Sequence, residues 1–105
     1  MKKVLLLLLL AFTTIPALNA QERELRFNKD RRFKIVQFTD VHWVYGNDAS
    51  QEAATLMAEV LDAEKPDLVV LTGDLVYAKP AGKALQKVLE PILKRGLRFA
   101  VTWGN

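Results

Sequence analysis

Asp40 and His42 stand at the end of an apolar run, Phe33-Lys34-Ile35-Val36-Gln37-Phe38-Thr39. A carboxylate and a neutral imidazole side by side are ligand types that Zn, Mn and Fe accept. The two residues are two apart, so both can leave a strand end on the same side. His42 is the only histidine in the chain. The same kind of ending occurs twice more: Leu68-Val69-Val70-Leu71-Thr72 runs into Gly73-Asp74, and the apolar run Leu97 to Trp103 ends in Gly104-Asn105. Each glycine allows backbone angles that swing the polar residue after it toward a centre. Asp74 has two oxygens and can bridge two ions. Asn105 can ligate only through its carbonyl oxygen, which adds no charge and leaves the site friendlier to a phosphate. Two ions held ~3.5–4 Å apart can clamp the attacking and leaving oxygens of a phosphoryl displacement and lower the pKa of a bound water. The plainer reading of the first stretch is a strand ending in a loop, with Asp40 capping the next helix and His42 as surface filler.

The elements between these endings decide whether they can meet. After His42, Trp43 to Ala49 reads as a loop, with Trp43 and Tyr45 as packing residues rather than substrate platforms. Asp48 or Ser50 can cap a helix, with Gln51 three past Asp48 as in a capping box. Ser50 to Lys65 carries Ala53, Leu56, Met57, Val60 and Leu61 at helical spacing, an apolar stripe for a core. Lys65-Pro66-Asp67 ends that helix, because proline disfavours helical geometry in the residue before it. Leu68 to Leu71 is a near-continuous branched run that fits a central parallel strand. Leu75 to Pro80 is a loop, and Pro80 suits the first turn of a second helix. That helix shows Ala81, Ala84, Leu85, Val88, Leu89 and Ile92 at helical spacing, with Pro91 expected to kink or split it. Lys94 and Arg95 sit near its C-terminus, and Gly96 is a natural cap. The order is β-α-β-α-β, an α/β arrangement with parallel central strands. With right-handed crossovers all three strands end on one edge, the edge at which open α/β sheets bind ligands. Asp40, His42, Asp74 and Asn105 are therefore expected to converge.

Composition bounds the rest. The chain has 105 residues, 50% hydrophobic and 26% charged, enough for one small domain. The net charge is +3, but setting aside Lys2 and Lys3 leaves 13 basic residues against 12 acidic ones, no warrant for nucleic-acid binding. Cysteine is absent, which excludes disulfides, a thiolate metal site and a lipidated N-terminal cysteine. Residues 1–20 have the layout of a secretory signal peptide: Lys2 and Lys3, an apolar run from Val4 to Phe12, and the small-residue exit Ala17-Leu18-Asn19-Ala20. The alternative of a membrane anchor meets Thr13, Thr14 and Pro16 within a run shorter than the ~20 residues a span needs. The chain is expected to be exported, periplasmic or secreted, with no membrane span once the signal is removed. Residues 21–32 form a lead-in, read as a short strand from Glu24 to Phe27 that turns at Asn28-Lys29-Asp30 and folds back as a hairpin on the Phe33 strand. Arg31 and Arg32 read as a solvated face, or more weakly as phosphate contacts.

The motifs Asp40-Val41-His42, Gly73-Asp74 and Gly104-Asn105, in that order and each at a strand end, resemble the opening motifs of the calcineurin-like metallophosphoesterases, which include purple acid phosphatases. The family pattern is D-x-H, then G-D, then G-N-H followed by D or E. The resemblance covers residues 33–105 and implies the first half of an αββα sandwich, the N-terminal part of a longer domain. It also implies two divalent metal ions (Mn, Fe or Zn), with Asp40 and His42 as first-metal ligands, Asp74 as the bridge and Asn105 as a second-metal ligand. The family's catalytic histidine follows the asparagine of G-N-H, so it is expected just beyond Asn105, and a fragment of a longer enzyme with little activity of its own is expected. The whole enzyme would hydrolyse phosphomonoesters or phosphodiesters by attack of metal-bound hydroxide, with no covalent enzyme intermediate.

Two other classes compete. A nucleotide-binding α/β module fits the element order, but neither G-x-G-x-x-G nor G-x-x-x-x-G-K-S/T is present. Asp40 also brings negative charge where a phosphate would need backbone N–H groups. A non-catalytic binding fragment that keeps the fold and one metal is the other. Nucleophilic catalysis has little support, because there is no G-x-S-x-G elbow and Ser50, the only serine, suits a helix start. Lys79 and Lys83 could meet an anionic substrate or simply be solvated.

Overall fold

The computed structural model describes residues 24–105; the expected signal peptide at 1–20 lies outside them. Three strands, β1 (Ile35–Phe38), β2 (Leu68–Thr72) and β3 (Phe99–Thr102), alternate with two helices, α1 (Asp48–Glu64) and α2 (Ala81–Lys94). All pairings are parallel and the sheet order is β1-β2-β3. Two right-handed crossovers that advance in one direction put both helices on the same face. Val69 and Leu71 of β2 point to that face and are fully buried, together with Met57, Leu61, Ala84, Val88 and Ile92 from the helices. Burial of each large apolar side chain contributes roughly 1.5–3 kcal/mol. On the opposite face Ile35, Leu68, Val70 and Ala100 share the other side of the pleat, with Ile35 and Ala100 exposed.

Several local details depart from the sequence reading. Glu24 to Phe27 is not a strand, and no hairpin forms with β1. The Asn28 turn does form: its Oδ1 accepts from the N–H groups of Asp30 and Arg32 at 3.0 and 2.9 Å. The chain ahead of it then leaves β1's edge, since Arg98, next to β3, donates to the Glu24 carbonyl at 2.8 Å. The lead-in thus crosses toward the far strand, and the Phe27–Phe33 ring contact, 6.4 Å between centroids, ties it back.

Helix α1 is capped by Asn47, not by Asp48 or Ser50; the Asn47 side chain accepts from Ala49 N–H at 2.9 Å. Ser50 is buried in the first turn, and its hydroxyl accepts from Val44 N–H at 3.0 Å, pinning the preceding loop. The buried stripe runs through Ser50, Met57 and Leu61, with Ala54 packed beside it, while Leu56 and Val60 face outward. The expected and observed stripes share Met57 and Leu61 and lie about one residue apart around the helix, because the spacing sets the period of the apolar face and not its phase. Pro91 does not split α2. It sits in the last turn, where its missing N–H removes a single ladder bond, and its ring is buried. The helix closes as a Schellman motif: Gly96, at φ +61, donates to Leu93 O, and Leu97 donates to Ile92 O.

Candidate metal centre

The strand ends do not stop pairing where the strands stop. Beyond β1 and β2 the two loops run side by side: Asp40 N–H donates to Gly73 O at 3.0 Å, His42 N–H to Asp74 O at 3.1 Å and Trp43 N–H to Leu75 O at 2.9 Å. Tyr77 N–H returns to Trp43 O, and Trp43 and Val76 form an isolated parallel bridge. Trp43 is wholly buried, a packing residue as expected, with its indole N–H unpartnered. It nails the two loops to the core and so holds the polar residues between them.

Those residues have an unusual backbone. Asp40, His42 and Asp74 have φ values of +52°, +48° and +51°, the left-handed region that costs an ordinary side chain about 1 kcal/mol or more. The turns take each side chain out of the strand's alternation. Expectation and structure therefore agree on the meeting of Asp40 and His42 and differ on its cause, which is left-handed geometry rather than the pleat.

One ligating atom from each of Asp40, His42 and Asp74 lies within 4.8 Å of the others. His42 Nε2 stands 3.5 Å from Asp40 Oδ1 and 3.9 Å from Asp74 Oδ2. Thr39 hydroxyl donates to Asp40 Oδ2 at 2.6 Å. The third strand end joins them: Asn105 backbone N–H donates to Asp74 Oδ1 at 3.0 Å. With its NH₂ group turned toward Asp74, the Asn105 side chain donates to both carboxylate oxygens at 2.9 Å. Asp74 thus faces Asn105 with both oxygens and His42 with Oδ2. All four residues singled out from the sequence are brought together. Among the described residues no lysine or arginine pairs with Asp40 or Asp74, so a cation would find two carboxylates without a competing side-chain charge.

Close glycine contact makes the convergence possible. A Cβ on Gly73 would lie 2.7 Å from Gly104 Cα, and one on Gly104 would lie 2.3 Å from Asp74 Oδ1. Both glycines also have positive φ, +105° and +80°, so they let β3's end reach Asp74 in two ways at once.

A cavity of about 610 Å³ adjoins the cluster, bordered by His42, Asp74 and Asn105 on its polar side. Tyr77 and Trp103 also border it, and the Tyr77 ring lies 6.0 Å from that of His42. Neither was singled out as a site residue, although each stands within three positions of one, Tyr77 after Asp74 and Trp103 before Asn105. Lys79 and Lys83 do not line the cavity.

An open parallel sheet with carboxylates, imidazole and amide gathered at the carboxyl ends of its strands defines an α/β domain with a polar ligand site at that edge. The sequence profile of the calcineurin-like phosphoesterases matches residues 33–105, and the chain belongs to that family. It is similar to two Arabidopsis thaliana proteins, "Probable inactive purple acid phosphatase 14" (28% identity, covering 96% of this chain and 30% of that protein) and "Probable inactive purple acid phosphatase 29" (34%, covering 91% and 29%). It is also similar to "Phosphatase DCR2" of Saccharomyces cerevisiae (31%, covering 79% and 17%). The chain thus spans less than a third of the length of each of these relatives. No solved structure matches.

Proposed function

We propose that Asp40, His42, Asp74 and Asn105 hold divalent metal in a phosphoesterase site, and that the whole protein hydrolyses phosphate esters. The observation that carries this reading is the clustering of the three ionisable donors within 4.8 Å of one another in a chain of phosphoesterase family. The donor set fits a borderline divalent ion such as Mn, Fe or Zn. Two uncompensated carboxylates beside an imidazole favour a cation, and the left-handed backbone at three donors keeps them in place. Bound metal would supply Lewis acidity toward a phosphoryl oxygen and a more acidic water.

The chain's own residues do the rest. Asp74 presents Oδ2 toward His42 and both oxygens toward Asn105, and a carboxylate with two oxygens is suited to serving two ions. Thr39 holds the far oxygen of Asp40 and so orients the near one toward His42. Asn105 donates to Asp74 through its NH₂ group; a ligating Asn105 turns its carbonyl oxygen inward instead, by rotation of the amide alone. The expected secretory signal at 1–20 belongs to the same proposal and places the site outside the cytoplasm.

A second reading is a metal-binding domain without turnover. The names of the two Arabidopsis relatives carry the word "inactive", and this favours it; the yeast phosphatase favours turnover. Manganese titration of the chain tests the reading common to both. Asp74→Ala should abolish uptake, and Glu59→Ala, on the exposed side of α1, should leave it unchanged. Equal uptake by both variants would overturn the assignment.

A further inference from the structure

We propose that the cavity beside the metal centre receives the organic group of the ester, and that this group is aromatic. The proposal rests on the phosphoesterase reading for the position of the phosphate and on the cavity itself for the rest. At about 610 Å³ the space is of the size that holds a small organic ligand. Its polar groups stand together on one side, where His42, Asp74 and Asn105 are. Leu75, Val76 and Leu85 supply apolar lining; Leu75 is buried, and Val76 and Leu85 pack on the core, so this part of the wall is built before any ligand arrives. Room is made by the first turn of α2, where Ala81 and Gly82 present almost no side chain.

Charge narrows the ligand class. Among the described residues no lysine or arginine lines the cavity, so a group with further phosphates or carboxylates would lose hydration against this lining without a counter-charge. Ring geometry narrows it again. Tyr77 and Trp103 border the cavity and are 76% and 75% exposed. Two large rings left in water beside an apolar wall suit a flat partner, which gains edge-to-face or offset contacts that an alkyl chain does not. Phosphate at the carboxylate end and an aryl group against Trp103 lie in one continuous space.

Calorimetric titration of the full chain decides the matter with three probes. Neutral 1-naphthol, added to metal-free protein, reads the cavity without the metal. Phenylphosphonate and methylphosphonate, added with manganese, read the two ends together. Naphthol should bind, and phenylphosphonate should bind about tenfold tighter than methylphosphonate, the upper range of one aromatic contact. Trp103→Ala should remove most of both effects and leave manganese uptake unchanged, whereas Tyr45→Ala, an exposed ring away from the cavity, should change neither. Gly82→Leu provides an independent variant, because a Cβ there meets nothing within 4 Å and the added side chain fills the space; it should block naphthol. Naphthol binding that survives both Trp103→Ala and Gly82→Leu would overturn the proposal, as would equal affinity for the two phosphonates in manganese-loaded protein. Loss of manganese uptake by the unmodified chain would instead sink the metal reading, and the naphthol result would still decide the cavity.

Discussion

Asp40, His42 and Asp74 each adopt a left-handed backbone, and Gly104 is the residue that lets Asn105 reach them. Replacing Gly104 by alanine sets a methyl group 2.3 Å from Asp74 Oδ1 at a φ of +80°. Either the β3 end withdraws or Asp74 turns away. Gly104→Ala should therefore lower stability by about 1–3 kcal/mol and weaken manganese binding in the same variant; urea unfolding and metal titration read the two effects. A methyl group placed instead at Gly46, which also has positive φ but meets nothing within 4 Å, should cost stability and spare the metal. At this scale the sequence disclosed identities better than conformations. Asp, His, Asp and Asn at apolar run ends were legible because their chemistry is visible in the letters. Their left-handed turns were not, since aspartate and histidine, though enriched at positive φ among non-glycine residues, adopt it in only a small minority of positions. Tyr77 and Trp103 were passed over because an aromatic residue in a loop or run reads first as core.

Helices α1 and α2 were recovered from apolar spacing, and their ends were recovered less well. Asn47 is one residue ahead of the expected cap, and it competed with Asp48 and Ser50 in a stretch where all three residue types can cap. Asn47→Ala should cost about 1 kcal/mol, read as a fall in thermal midpoint, and Asp48→Ala should cost less. Across the helices' C-terminal ends Arg95 donates to both oxygens of Asp62, at 2.6 and 2.8 Å, and its Nη1 donates to Pro91 O. The hydrogen bond from Arg95 is the main reason that Asp62 is held below the ordinary carboxylate value of 3.8; burial opposes it, and the charges of Arg95 and Lys65 assist. A carboxyl held low in the folded state binds protons more readily when unfolded. Its stabilisation is therefore complete above 3.8 and is lost as pH falls through the lower folded value. Thermal midpoints of the wild type and Asp62→Asn should differ at neutral pH and converge below that point. The lead-in segment failed as a strand for a different reason: alternation at Leu25 and Phe27 is only two residues of signal, and Arg98's pull on Glu24 from the far side of the sheet is invisible in local sequence.

Taken whole, the described chain covers one side of its sheet with both helices and leaves the other side open. The parallel sense was readable from β-α-β-α-β alone, and the central place of β2 from its near-continuous branched apolar run. Right-handed crossovers make the sheet one-sided when consecutive strands add in one direction. Ile35 is 54% exposed on the open side, near Leu68 and Val70, and such apolar area favours self-association. Ile35→Lys should raise the concentration at which the chain aggregates, measured by light scattering, and shift unfolding by less than about 0.5 kcal/mol because the side chain is already in water. Between the two loops that Trp43 anchors, the donor residues owe their positions to peptide geometry, and this bears on any attempt to build the site elsewhere. A designer who copied only the four letters onto another sheet with matching spacing would obtain Asp40 and His42 on one side and Asp74, one position out of register with them, on the other. What must be transplanted is the pair of cross-linked turns with their abutting glycines, a unit of main chain for which the ligands are only the visible tips.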